Sequence, residues 1–164
     1  MTMPRQLIPL LFIALLLTLP TLALAKDEIK FTSTAEIEVE KVNAKGEKTV
    51  VREPALLLQP GQIAVYTNSF TNIGAQPAEK VVINNPVPKN TEYLGGSATA
   101  TGFDLVFSVD GGKSFGAPKE LTVPDGKGGK RPAEPKEYTN IRWTMQPPLK
   151  SGATGIVEFR VRVK

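Results

Sequence analysis

Cysteine and histidine are both absent from the 164 residues of this chain. Their absence excludes thiol chemistry, the common Ser-His and Cys-His catalytic pairs and the usual zinc sites. Carboxylate pairs such as Asp104 with Asp110, or Glu134 with Glu137, remain open to glycosidase-type chemistry. Because acidic residues beside turns are more often caps or solubilising charges, we predict that the chain is not an enzyme and uses no metal or cofactor.

A strong charge of one sign and a sustained helical pattern are also absent. Lysine and arginine number 20 against 16 acidic residues, which gives a formal net charge of +4, and the basic residues are spread along the chain. This balance argues against nucleic-acid binding. The 14 glycines and 14 prolines would interrupt long helices, and no stretch has the period of an amphipathic helix.

The N-terminal segment has the pattern of a secretory signal peptide. Arg5 precedes an apolar run over residues 7–24, and the triplet 23–25 fits an A-x-A cleavage site. An uncleaved anchor is the alternative, because about 18 apolar residues can span a bilayer, but two prolines and the charges that follow favour cleavage. We predict a signal peptide over residues 1–25 and one domain over residues 26–164. The mature protein would be periplasmic or secreted, without a stable membrane anchor.

Three segments alternate apolar with charged or polar residues at the period of two that half-buried strands have. They cover residues 35–40, 141–145 and 157–164. Clusters of glycine, proline, asparagine and aspartate separate the shorter candidate strands, which lie at residues 63–72, 80–85, 103–109 and 120–123. This spacing predicts an all-β fold, an antiparallel β-sandwich of about seven to nine strands.

One segment, residues 124–136, contains no large apolar residue and is rich in glycine, proline and basic residues. Its composition predicts a mobile loop between two strands. Lys127, Lys130 and Arg131 are candidates for contact with an anionic glycan or a lipid head group. A loop kept solvated by its charges is the alternative interpretation.

From residue 61 onward the chain carries a series of short motifs. They are GQIAVY at 61–66, FTNIG at 70–74, VVINNPVP at 81–88, WT at 143–144 and SG at 151–152. Together they resemble the bacterial conserved-repeat domain, a domain of unknown function numbered eleven in its series, over about residues 50–164. The resemblance implies an immunoglobulin-like β-sandwich, of the kind that bacteria use as spacers, scaffolds or adhesive units in surface, envelope and secreted proteins.

Two asparagines depart from the family pattern. Asn68 shares a strand face with Tyr66 and Phe70, where an apolar residue is more usual, and a buried asparagine needs partners. We therefore expect Asn68 near a sheet edge or in a polar network. Asn85 stands where the family has aspartate, and we expect it to cap a turn and to be a poor calcium ligand. Both asparagines, with Lys80, are candidates by residue type for an isopeptide cross-link.

The stretch SVDGGKSF at residues 108–115 resembles an Asp-box hairpin. In such a hairpin Asp110 would bond backbone amides, Gly112 would take a positive φ and Phe115 would pack underneath. Asp-boxes recur in glycan-active propellers, but those folds need many copies and this chain has one. We interpret the motif as a structural turn, and Asp110 and Phe115 are the candidate glycan contacts if it is not.

These observations predict an exported, non-catalytic, immunoglobulin-like module with a structural, scaffold or protein-binding role in the bacterial envelope. Its partner would be an envelope or surface protein, held at a sheet face or edge. The alternative is a glycan-binding module that uses Asp110, Phe115 and the basic segment at residues 124–136.

Overall fold

A computed structural model describes residues 28–98 and 101–164 of the chain, and the predicted signal peptide lies outside these residues. The described residues form ten β-strands and one short 3-10 turn at Pro135–Glu137, without an α-helix. None of the described segments is a helix that could span a bilayer. The strands are β1 (Ile29–Val42), β2 (Lys48–Pro54), β3 (Ile63–Asn72), β4 (Val82–Pro86), β5 (Thr91–Tyr93), β6 (Phe103–Ser108), β7 (Thr122–Pro124), β8 (Lys130–Pro132), β9 (Asn140–Met145) and β10 (Thr154–Val163).

Eight of these strands form two sheets that pack face to face. The larger sheet has the order β2-β1-β3-β10-β5 and the smaller one the order β4-β9-β6. Every pair of neighbouring strands is antiparallel. The chain changes sheet between β3 and β4, between β4 and β5, between β5 and β6, and between β9 and β10, as in Greek-key arrangements. The prediction of an all-β, antiparallel fold is confirmed.

The core lies between the two sheets and follows the predicted alternation. Val157, Phe159 and Val161 of β10 are buried, as is Trp143 of β9, whose ring centroid lies 6.0 Å from that of Phe159. Burial of a side chain of this size stabilises the fold by about 1.5–3 kcal/mol. Charged residues alternate with these apolar ones in β10, and they point away from the core.

The alternation in β1 gives a different result. Ala35, Ile37 and Val39 are only half-buried, although the pattern predicts that they face a core. The reason is that the smaller sheet has three strands and the larger one five, so β1 and β2 are less completely covered. The strand also begins earlier than predicted, at Ile29.

The prediction of a mobile loop over residues 124–136 is wrong. This segment contains the end of β7, all of β8 and the 3-10 turn, and β7 and β8 pair as a hairpin. Its strands carry no alternating pattern because their residues are mostly exposed on both faces. The short strands β5 and β8, and the charged strand β2, raise the number of strands in the described residues to ten.

Candidate functional site

The Asp-box segment forms the turn that the motif predicts. Oδ1 of Asp110 accepts hydrogen bonds from the Ser108 hydroxyl (2.7 Å) and from the backbone N–H groups of Lys113 and Ser114 (3.0 Å each), and Oδ2 accepts one from the Ser114 hydroxyl (2.6 Å). The bond from the Ser114 side chain is the main reason that the pKa of Asp110 lies well below its ordinary value. Gly112 has φ 84°. The Asp110 carboxylate is therefore engaged within the turn.

Phe115 packs on the outer face of the smaller sheet. The guanidinium carbon of Arg142, in β9, lies 3.5 Å from the centroid of the Phe115 ring, a cation–π contact. The backbone N–H of Gly111 donates to the Thr139 hydroxyl at 2.9 Å, which ties the same turn to the start of β9. The hairpin thus lies against the sheet, and the Phe115 ring is covered on one face by Arg142.

The basic residues of the predicted loop lie in the β7–β8 hairpin. Arg131 donates to both carboxylate oxygens of Glu137 at 2.7 Å, and chiefly this bond lowers the pKa of Glu137 to about 2. At the tip, Oδ1 of Asp125 accepts bonds from the backbone N–H groups of Lys127 (2.7 Å) and Gly129 (2.9 Å). These two amides, which resemble an anion-binding nest, already bind a carboxylate of the chain itself.

The structure does not bring the two sets of candidate ligand residues together. Among the described residues, no hydrogen bond, ion pair or aromatic contact joins Lys127, Lys130 or Arg131 to Asp110 or Phe115. A glycan site that used both sets would have to bridge two separate hairpins. Nor do the described residues contain a cluster of acidic side chains suited to a metal ion.

The expected positions of the two asparagines, Asn68 near an edge or in a polar network and Asn85 at a turn, are wrong. Asn68 lies on β3, which pairs with β1 on one side and β10 on the other, and neither atom of its buried amide bonds to another described residue. The register of β3 forces this, because Asn68 shares its face with the core residue Phe70. Asn85 lies within β4 rather than at a turn. Lys80 is exposed, and no described hydrogen bond links it to either asparagine.

Sequence reasoning missed an open strand edge in the larger sheet. β2 pairs with β1 only as far as Pro54, which lies opposite Glu36, and the N–H of Ala55 then donates to the carbonyl of Ala35 at 3.0 Å. Residues 29–34 of β1 therefore have β3 on one side and no described strand on the other. We call these residues the open edge.

The direction of the backbone groups along the open edge follows from the bonds at its two ends. The N–H of Ile73 donates to the carbonyl of Glu28 at 2.8 Å, so the backbone groups of even-numbered β1 residues bond to β3. The bond from Ala55 to the carbonyl of Ala35 shows that the backbone groups of odd-numbered β1 residues point toward the β2 side. Backbone bonding alternates in this way along any antiparallel strand. The N–H and C=O groups of Ile29, Phe31 and Ser33 consequently point away from the sheet, where no described group bonds them.

A groove of about 500 Å³, lined by both apolar and polar side chains, runs between the open edge and β4. We call it the edge groove. Phe31 and Val82 stand at its mouth, and they are 50% and 51% exposed. The strand β4 pairs with β9 alone. The remaining lining residues are Ile29, Ala78, Glu79, Lys80, Val81, Ile83 and Asn84.

Charged side chains that form ion pairs cover the outer face of the larger sheet. Arg52 makes a bidentate ion pair with Glu158 at 2.7 and 3.0 Å, and Nε of Arg160 lies 2.9 Å from a carboxylate oxygen of Glu38. Val65 is fully buried on this face. The open edge and the edge groove combine unpaired backbone groups with the exposed apolar side chains of Phe31 and Val82.

Comparison with known proteins gives no relative: no protein-family model, no curated protein and no solved structure matches the chain.

Proposed function

We propose that this chain is an exported, non-catalytic, immunoglobulin-like module that binds protein in the bacterial envelope by accepting an added β-strand at its open edge. The observation that carries the proposal is the coincidence of an unpaired strand edge with a partly apolar groove beside it. Proteins that bind extended segments by strand addition use these two features, main-chain groups for affinity and side-chain pockets for specificity.

Export and the immunoglobulin-like arrangement belong to the same proposal. The signal-peptide pattern before residue 26 supports export. Two antiparallel sheets packed face to face, with connections that cross between them, support the immunoglobulin-like arrangement that the conserved-repeat resemblance implies.

An added strand would satisfy the outward N–H and C=O groups of Ile29, Phe31 and Ser33. Each backbone hydrogen bond contributes a net stabilisation of about 0.5–1.5 kcal/mol. The same strand would cover the exposed parts of Phe31 and Val82, and burial of apolar surface adds about 25 cal/mol per Å². The backbone hydrogen bonds and the burial of apolar surface would form side by side along the edge. An extended strand can make both, which favours a strand over a compact ligand.

Site-specific photo-crosslinking in the cells that make the protein tests this proposal. A benzophenone analogue of phenylalanine at position 31 would stand at the mouth of the edge groove, and we expect it to form covalent adducts with discrete protein species. The matched control is the same analogue at Ile156, an apolar residue of β10 that is similarly exposed on the outer face of the sheet. Adducts of equal yield from both positions, or none from position 31, would contradict the proposal.

A further inference from the structure

We infer that the strand that covers the open edge is the same edge of a second copy of this chain, so that the module forms a two-fold symmetric dimer. This inference rests on the proposed function, because it names the partner that the same edge binds. Three features of the edge support a second copy: its composition, the few residues that lead into it after the predicted cleavage, and the register that its backbone allows.

The open edge has the composition of a strand that pairs with itself. Its sequence, IKFTST, is rich in isoleucine, phenylalanine and threonine, has Lys30 as its one charge and contains neither glycine nor proline. Segments of high β-propensity and low charge pair readily with identical segments. Natural edge strands are normally protected by charges, proline or bulges.

The other described edges on this side of the molecule do carry such protection. β2 presents several charged side chains, including Arg52 and Glu53, and ends at Pro54. β4 is short and ends at Pro86. The open edge has Lys30 as its one protecting charge, and this weaker protection favours a surface that is covered in the working protein.

The residues that directly precede the open edge are a poor candidate for this cover. With the predicted cleavage after Ala25, residues 26–28 lie ahead of Ile29. Three residues are too few to reverse direction and pair alongside the strand that they lead into, since a two-residue turn alone would use most of them. A second copy of the chain brings an edge of matching length and chemistry.

The backbone selects one register for the two copies. Only odd-numbered residues point outward, so they must bond odd-numbered residues of the second copy in an antiparallel pair. The register with the most bonds sets Phe31 opposite Phe31 of the second copy and Ile29 opposite Ser33. Three such facing pairs would exchange about six backbone hydrogen bonds.

Side chains and the ends of the edge fit the same register. Lys30 falls opposite Thr32 of the second copy, so no like charges face each other. The two Phe31 rings meet on the side of the sheet that carries the edge grooves, near Val82. The pairing stops at Ala35, which is already bonded to Ala55. The open edges of both copies are then paired, so no free open edge remains for a third copy, and a closed dimer forms instead of a fibre.

Sedimentation of the purified mature chain, residues 26–164, tests the inference. We expect a concentration-dependent dimer. Ser33→Pro removes an outward N–H without touching the bonds to β3, and Phe31→Lys places like charges opposite each other. Each substitution should raise the dimer dissociation constant about tenfold or more. Ile156→Lys, a charge on the outer face of the sheet, should leave the dimer unchanged, and circular dichroism checks that every variant is folded.

The register has its own test, because the natural chain contains no cysteine. In Phe31→Cys the two cysteines would lie across the two-fold axis with their Cα atoms about 5.5 Å apart, within disulfide range. Mild oxidation should therefore cross-link Phe31→Cys but not Ile156→Cys.

A wild-type chain that stays monomeric at all concentrations, or a dimer that tolerates both edge substitutions, would overturn the inference. If position 31 nevertheless cross-links to a different protein in cells, the proposed function survives and only the second copy is wrong.

Discussion

The two buried asparagines of β3 show how differently one residue type can contribute to stability. The amide N–H₂ group of Asn72 donates to the carbonyls of Gln76 (2.7 Å) and Leu149 (2.8 Å), and its oxygen accepts from the N–H of Gly74 (2.9 Å). Asn68 is equally buried, but its amide has no partner among the described residues. A buried polar group without a partner keeps the full cost of leaving water.

We predict that Asn68→Leu, which has nearly the same shape, raises the free energy of unfolding by about 1–3 kcal/mol. Denaturant unfolding of the mature chain measures this directly. The matched control is Asn72→Leu, which should lower the free energy of unfolding because it removes the hydrogen-bond partner of the Gly74 N–H and of the Gln76 carbonyl. A loss of stability in Asn68→Leu would mean that its amide is paired after all.

At the scale of single elements, the β7–β8 hairpin is held by side chains rather than by a buried face. The Arg131–Glu137 pair connects β8 to the 3-10 turn, and the same Glu137 carboxylate accepts a bond from the backbone N–H of Glu134 at 2.9 Å. Asp125 closes the tip. No hydrophobic period marks such a hairpin, so sequence patterns indicate only its turn residues.

The pKa of Glu137 predicts how acid affects this hairpin. Its value of about 2 lies below the ordinary 4.5, so the folded hairpin gains stability from the ionised carboxylate above pH 4.5 and loses it as the pH falls from 4.5 through 2. A carbon-13 NMR titration of the Glu137 carboxyl group should give a midpoint near 2. In Arg131→Gln the midpoint should return toward 4.5, whereas Lys127→Gln, in the same hairpin, should leave it low. An ordinary midpoint in the wild type would show that the pair is absent.

One part of the structure of β1 could be predicted from its sequence, and another part could not. The alternation at residues 35–40 correctly indicated a strand, and residues 29–34 extend it with the same period. That the first half is an edge depends on where β2 stops, at Pro54, and on which strand it pairs with. Both depend on pairing between segments that are distant in the sequence. The local alternation of apolar and polar residues is similar in a strand paired on both sides and in one with a free edge.

At the scale of the whole molecule, the core was the most predictable part. Alternation placed Trp143 and Phe159 inside, and both are buried. The assembly of the strands was not predictable, because β3 pairs with β10 across about half of the chain and the order of strands follows from such distant contacts. The candidate site arises at this scale, since it lies where a five-stranded sheet extends past a three-stranded one.

The assembly of the whole molecule also determines which backbone groups are protected from solvent. In the isolated chain the N–H groups of Thr32 and Thr34 bond β3, whereas those of Phe31 and Ser33 point outward. Amide hydrogen exchange, followed residue by residue by NMR, therefore tests the central claim that this edge is a binding surface.

The measurement compares a dilute sample with one at a concentration where the chain sediments as a dimer. We predict that the amides of Phe31 and Ser33 exchange quickly in the dilute sample and become protected on assembly, while those of Thr32 and Thr34 are protected in both. Rapid exchange of Phe31 and Ser33 in the assembled protein would contradict the claim that strand addition occurs at the open edge.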